Sequence, residues 1–132
     1  WLAGQESYSD SEILHIQWGC TAKGLDGAYS ESYDEILGNA LFYDPVTYAK
    51  MLAYPGVMDD ETRCFAITGA AFYGELFPEQ EQTAAKSLDA AISANTLTAE
   101  ETGWAKLLRY YLVNPNSGYY ADYPKTPAEL EN

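Results

Sequence analysis

The stretch from Cys64 to Phe77 reads CFAITGAAFYGELF, an apolar run that carries three small residues, Gly69, Ala70 and Ala71, near its centre. A helix that is apolar almost all round is one that the rest of the molecule covers. The sequence therefore predicts a central buried helix here. The small residues on it allow a second helix to approach closely.

Two further Gly-x-Ala triplets flank this run, at residues 38–40 and 103–105. The three triplets are 31 and 34 residues apart, and each is followed by an X-Pro step. Spacings of this length are typical of stacked helix pairs, although tetratricopeptide, ankyrin and leucine-rich signatures are missing. Two architectures fit the pattern: a short stack of helix hairpins, or a helical bundle without repeats.

Start and stop signals around the run predict about six helices. They run from Asp10 or Ser11 to about Lys23, through Tyr33 to Leu41, from Pro45 after the capping Asp44 to Tyr54, from the capping Asp59 to Phe77, from Pro78 to Asn95, and from the capping box Thr98-Ala99-Glu100-Glu101 to about residue 113. Apolar residues recur at helical spacing within them: Tyr33, Ile36, Leu37, Ala40 and Leu41; Tyr48, Ala49 and Leu52; Ala84, Ala85, Leu88, Ala91 and Ile92; Trp104, Leu107, Leu108 and Tyr111. These patterns agree with amphipathic helices throughout.

Strand signals are almost absent, since there is neither an alternating run nor an Asn-Gly hairpin. We therefore predict an all-α fold, as one domain over residues 1–132. Residues 1–9 form a polar lead-in, residues 10–113 the helices, and residues 114–132 a tail. This tail holds three tyrosines and is expected to lie extended over the helices.

Charge excludes several kinds of partner. Twenty carboxylates against seven lysines and arginines give a net charge of −13, and a field of that sign repels phosphate backbones and anionic membranes. No apolar run approaches the roughly 20 residues of a membrane helix. We therefore expect neither a nucleic-acid partner nor membrane insertion.

Two cysteines, Cys20 and Cys64, leave two interpretations open. They are either unlinked thiols in a core, or one disulfide closing a loop of about 45 residues. The chain begins at Trp1 without an initiator Met, which a removed signal peptide would explain. With the acidic, tyrosine-rich composition, these features favour an exported bacterial protein, secreted or periplasmic.

Catalytic and metal signatures are weak. The single histidine, His15, lies five residues before Cys20, which places the two on different faces of a helix. No zinc, phosphate-loop or calcium-loop spacing is present. We therefore predict no catalytic residue, no metal site and no cofactor. Paired carboxylates such as 34–35, 59–61, 79 with 81, and 100–101 fall in helical first turns, where the helix dipole favours them.

The excess of acidic residues and tyrosines indicates a surface that binds another protein. The predicted binding surface consists of Asp59, Asp60, Glu61, Tyr119, Tyr120 and Tyr123. The sequence thus favours a non-enzymatic interaction module with a basic protein partner, its oligomeric state left open. Two alternatives remain: an acidic immunity protein that blocks a basic toxin or hydrolase, and an acid/base hydrolase that uses a carboxylate pair.

Overall fold

The computed structural model describes residues 27–55, 59–117 and 119–131, and of residues 27–33 the backbone alone. Within these ranges the chain forms six helices and no strand: α1 Gly27–Tyr43, α2 Pro45–Ala53, α3 Asp60–Gly74, α4 Pro78–Ala94, α5 Ala99–Val113 and α6 Pro127–Glu131. The predicted all-α fold is confirmed. The lead-in over residues 1–9 and the predicted helix over residues 10–23 lie outside the described residues.

Local capping chemistry fixes where the helices begin. Asp44 accepts from the Thr47 backbone N–H at 3.1 Å at the start of α2. Asp59 accepts from the Thr62 backbone N–H at 2.8 Å at the start of α3. Such bonds satisfy donors that a helix leaves unpaired in its first turn. The three predicted caps, including the capping box described next, are therefore confirmed.

The capping box at α5 is complete. The Glu101 backbone N–H donates to Thr98 Oγ1 at 3.1 Å, and the Thr98 backbone N–H donates to Glu101 Oε1 at 3.0 Å. Asn95 ends α4 in the left-handed conformation, with φ of 58°. Asparagine tolerates this conformation better than most residues, so the predicted helix end is also confirmed.

The predicted apolar stripes supply most of the core. The buried core residues on the five long helices include Leu37, Ala40, Leu41, Tyr48, Ala49, Leu52, Ala66, Ile67, Ala70, Ala71, Ala84, Ala85, Leu88, Trp104, Leu107, Leu108 and Tyr111. Four residues that the sequence placed in the core are exposed, so the expectation is wrong for them. Ile36 on α1 is 47% exposed and Phe72 on α3 is 48% exposed. Leu76 and Phe77 follow the end of α3 at Gly74 and are 67% and 39% exposed.

The central helix is α5 rather than α3. It packs against α2, α3, α4 and α6, whereas α3 pairs mainly with α1. Two of these partners, α2 and α3, are not adjacent to α5 in the chain, whereas each unit in a stack of hairpins contacts its neighbours in sequence. Of the two predicted architectures, the packing is that of a bundle. The expectation that the Cys64–Phe77 run would occupy the centre is wrong, because its small residues adapt it to one close neighbour.

Two of the Gly-x-Ala glycines make that close pairing possible. A Cβ at Gly38 of α1 would overlap the Tyr73 side chain on α3. Reciprocally, a Cβ at Gly69 of α3 would crowd Asp34 and Leu37 on α1. Each helix thus offers a glycine at the place where the other brings a larger side chain. The Gly-x-Ala triplets at residues 38–40 and 69–71 therefore mark the close crossing of α1 and α3.

The tail is more structured than predicted. The rings of Tyr110 and Tyr111 on α5 form a cluster with Tyr120 and Tyr123 of the tail, with centroids 5.1 to 6.3 Å apart. Tyr111 Oη donates to the Pro124 carbonyl at 2.8 Å. The chain then ends in α6, so the description of an extended tail holds for its first part and fails for Pro127–Glu131.

Membrane insertion was tested on the same described ranges. None of their helices combines the length and the apolarity that crossing a bilayer requires.

Candidate functional site

The acidic half of the predicted surface lies at the N-terminus of α3. Asp59 caps the helix, and Asp60 forms an ion pair with Arg63 at 3.1 Å. Asp59, Asp60 and Glu61 are all exposed. Their positions follow from capping and from the helix dipole, which favours acids in the first turn.

The tyrosine half lies at the opposite end of α3. Tyr120 Oη donates to Oε2 of Glu75, the residue that follows this helix. With about 1.5 Å of rise per residue, the 15 residues of α3 place Glu75, the partner of Tyr120, roughly 22 Å from the acids. The structure therefore does not bring the predicted acids and tyrosines together into one compact site.

The three predicted tyrosines also differ in exposure. Tyr119 is 76% exposed, Tyr123 is half-buried in the ring cluster, and Tyr120 is only 5% exposed. The prediction of Tyr120 as a surface contact is wrong, because its ring completes the tyrosine cluster and its hydroxyl is used internally. A sequence of adjacent tyrosines does not reveal which ring turns inward.

The predicted Cys20–Cys64 bridge involves a residue outside the described ranges, so the bridge, and the export that it would support, stay predictions. Cys64 itself is half-buried on α3. Burial is the main cause that raises the pKa of its thiol. A raised pKa leaves less of the reactive thiolate at neutral pH.

A groove between α1 and α4 offers a different candidate site. Its volume is about 490 Å³, and its lining consists of Asn39, Phe42, Tyr43, Glu79, Gln80 and Thr83. Spacings of three and four residues put the α1 members on one side of that helix and the α4 members on one side of the other. Neither helix forms the groove alone.

Aromatic rings support the floor of this groove. The Phe42 ring centroid is 6.2 Å from that of Phe77, in an edge-to-face arrangement, and 6.4 Å from that of Tyr73. Tyr73 and Phe77 are in turn 5.2 Å apart. Edge-to-face and tilted pairs are favourable arrangements for aromatic side chains. The cluster therefore holds Phe42 in place while Tyr43, 38% exposed, borders the opening.

The charge of the groove distinguishes it from two other grooves. One, of about 460 Å³ between α2 and the start of α5, includes Lys50. Another, of about 350 Å³ between α4 and α5, includes Lys106 and Arg109. Among the described residues, the lining of the α1–α4 groove holds no basic side chain, and Glu79 is its one charged group. It can accept a cation without displacing one of the protein's own.

Sequence reasoning missed this groove for a topological reason. Its two sides are separated by the whole of α2 and α3, so no local motif joins them. The available signals were Tyr43 at the last position of α1 and Glu79 directly after the helix-starting Pro78.

A second polar feature lies near the groove but is closed to solvent. Glu81 is only 4% exposed, and burial followed by the charge of Glu75 raises its pKa from about 4.5 to about 7. Two acids with separated pKa values are what the hydrolase alternative requires. At 4% exposure the Glu81 carboxyl lies beneath the surface in this structure, and the hydrolase alternative stays a prediction.

Over residues 27–55, 59–117 and 119–131, no group of three or more His, Cys, Asp or Glu side chains could hold a metal ion. Comparison with protein-family models, with curated proteins and with solved structures finds no match to this chain.

Proposed function

We propose that this protein is a non-enzymatic interaction module that takes a basic segment of another protein in the groove between α1 and α4. The observation that carries the proposal is the lining of that groove: the exposed Tyr43 and the half-buried Phe42 lie beside one carboxylate, with no basic side chain among the described lining residues. The net charge of −13 supports the choice of a cationic partner, because it attracts such a partner from a distance.

Phe42, Tyr43 and Glu79 suit the side chain of lysine or arginine. A cation over an exposed aromatic face gains about 0.5–1 kcal/mol, and an exposed ion pair contributes about 0.2–1 kcal/mol. The aliphatic part of the same side chain covers the rings, and the Asn39 amide provides a further hydrogen-bonding group.

Contacts of this size are individually weak, so the partner must also cover surface beyond the groove. Ile36 precedes Tyr43 by seven residues, which places it two turns away on the same side of α1. Its 47% exposure extends the apolar surface of the groove along the helix. A specific interface buries about 1,000 Å² or more in total, and we infer that a folded protein or a long peptide is the natural ligand rather than a single amino acid.

Titration of the isotope-labelled protein with a capped hexalysine peptide, followed by amide NMR, tests the proposal. We expect shift changes concentrated at Asn39, Tyr43, Gln80 and Thr83. A capped hexaglutamate peptide is the matched control and should cause none. Changes that spread equally over every exposed acid, including Glu61 and Glu100, would contradict a dedicated groove.

Two variants make the same titration sharper. Tyr43→Ala and Glu79→Gln should each weaken hexalysine binding by about two- to fivefold, which corresponds to the loss of one exposed cation contact. Glu100→Gln removes an exposed first-turn acid from another helix and should leave the affinity within error. Equal losses of affinity in all three variants would contradict the proposal that the groove residues form a dedicated binding site.

A further inference from the structure

Glu75 joins the tail to the helices. It follows α3 directly, and both of its carboxylate oxygens are used. The Ser117 backbone N–H donates to Oε1 at 2.8 Å, and Tyr120 Oη donates to Oε2. These bonds bridge 42 and 45 residues of sequence, so they hold the first part of the tail against the end of α3.

Glu81 is a second carboxyl packed against the same end of α3. It lies in the first turn of α4 and is 96% buried, and within the described part of the chain its Oε2 has no hydrogen-bond partner. A Cβ on Gly74, the last residue of α3, would lie only 2.8 Å from that oxygen. Glycine at position 74 therefore leaves the room that this side chain occupies.

Among the described residues, the groups near Glu81 carry no positive charge. Glu75, at the end of α3, interacts with it electrostatically, and Tyr120 of the tail interacts with both acids. On the side of α1, the Phe42 ring lies close to the same glycine. The described surroundings of the Glu81 carboxyl are thus one acid, one phenol and apolar groups.

We propose that Glu81 is a proton-controlled latch for the tail, which keeps Ser117 and Tyr120 docked on Glu75 while it is protonated and releases them when it ionises. A neutral Glu81 leaves one negative charge, on Glu75, among the described groups of the cluster, and Ser117 and Tyr120 of the tail both donate to it. An ionised Glu81 places a second charge beside it in a buried environment, which costs free energy until water enters. Release of Ser117 and Tyr120 lets water reach both acids.

The direction of the pH effect follows from the pKa of Glu81, which rises from about 4.5 to about 7 on burial beside Glu75. A carboxyl whose pKa is raised in the docked state stabilises docking fully below its ordinary pKa. This stabilisation is lost as the pH rises through the docked value, so docking should weaken between about pH 4.5 and pH 7 and then level off.

Release should be local. The distal part of the tail keeps contacts that do not depend on Glu75, since Tyr111 Oη donates to the Pro124 carbonyl and Lys125 Nζ donates to the Tyr120 and Ala121 carbonyls. The latch therefore acts on the bonds of Ser117 and Tyr120 to Glu75, with α6 remaining on α5.

Hydrogen exchange of the Ser117 amide, corrected for the intrinsic pH dependence of exchange, tests the latch. In the full chain we expect its protection factor to fall about tenfold or more between pH 4.5 and pH 7. Glu81→Gln, which cannot ionise, should keep the protection constant. Glu100→Gln, an exposed acid at the start of another helix, should show the wild-type fall.

Two results would overturn the proposal: constant Ser117 protection in the wild type, or a fall that persists in Glu81→Gln. Carboxyl-carbon NMR of the unsubstituted protein provides a second measurement that does not rely on the variant folding. One glutamate should titrate near pH 7, and its signal should move in step with Ser117 protection. A Glu81 carboxyl that titrates near 4.5 would reject the latch even if the variant is unfolded.

Discussion

Thr98 and Glu101 satisfy each other's backbone N–H groups in a site that is fully exposed at Thr98. We expect Thr98→Ala to lower the free energy of unfolding by about 1 kcal/mol, because the Glu101 backbone N–H loses its acceptor. Urea denaturation measures the change. Thr96→Ala is the comparison variant: its exposed hydroxyl donates to the Ala91 carbonyl in the last turn of α4 through a long contact of 3.4 Å and caps no helix N-terminus, so its effect should be smaller. An equal free energy of unfolding for the two variants would show that the capping box does not contribute measurably to stability.

Residues that act through near neighbours in sequence were the predictable ones. Asp44, Asp59 and Thr98 bond to groups three positions away, so the pattern that identifies each cap lies in four adjacent letters. Ile36 is exposed and Tyr120 is buried because of where other helices and the tail pack against them. The local sequence around each residue does not indicate this. Glu81 illustrates the same limit: a first-turn acid looks solvated until the end of α3 is placed over it.

The crossing of α1 and α3 depends on glycine at a specific position. We expect Gly38→Ala to lower the free energy of unfolding by about 1–3 kcal/mol, because the new methyl group would overlap Tyr73 near the root of its side chain. This loss exceeds the gain of up to about 1 kcal/mol from the better helix propensity of alanine. Thermal and urea unfolding both report the difference.

Gly103→Ala is an informative comparison at the third triplet. A Cβ there would lie 3.1 Å from Pro127 Cβ, which belongs to the five-residue helix α6 at the end of the chain. Because α6 has only five residues and its main contact among the described helices is with α5, we expect it to adjust more easily than α3, and the substitution should cost less than Gly38→Ala. A Gly38→Ala variant as stable as the wild type would show that the two long helices are not closely packed at this crossing.

At the scale of elements, the sequence predicted five of the six described helices and their order. It did not predict their pairing. The pairing of α1 with α3, and of α2 with α5, joins segments that are not adjacent in the chain. Helical periodicity reports which face is apolar, but not which neighbour covers it. The groove between α1 and α4 is a product of that pairing, so it could not be located before the fold was known.

At the scale of the whole molecule, the acids are distributed along helix starts while the groove concentrates aromatic groups around one of them. Asp60, Glu61, Glu79, Glu100 and Glu101 all occupy first turns. This arrangement separates two roles that composition alone leaves merged. Under the proposed function, exposed acids across the surface would attract a cationic partner from a distance, and the groove would supply the short-range contacts.

The separation of roles predicts different kinetic effects. Glu61→Lys reverses an exposed acid on α3 without removing the Asp59 cap or the Asp60–Arg63 pair, so it tests attraction alone. We expect it to slow association of hexalysine about two- to fivefold at low salt and to leave dissociation nearly unchanged. Tyr43→Ala should speed dissociation and leave association nearly unchanged, because it removes a contact that forms only after docking.

Salt dependence checks the same division in the unsubstituted protein. Raising the salt concentration from 0.1 M to 1 M shortens the screening length from about 10 Å to about 3 Å. Association measured by stopped flow should slow over this range, and the difference between the wild type and Glu61→Lys should disappear at the high end. If association keeps the same rate across the range while Tyr43→Ala still speeds dissociation, the distributed acids only keep the protein in solution, and recognition belongs to the groove alone.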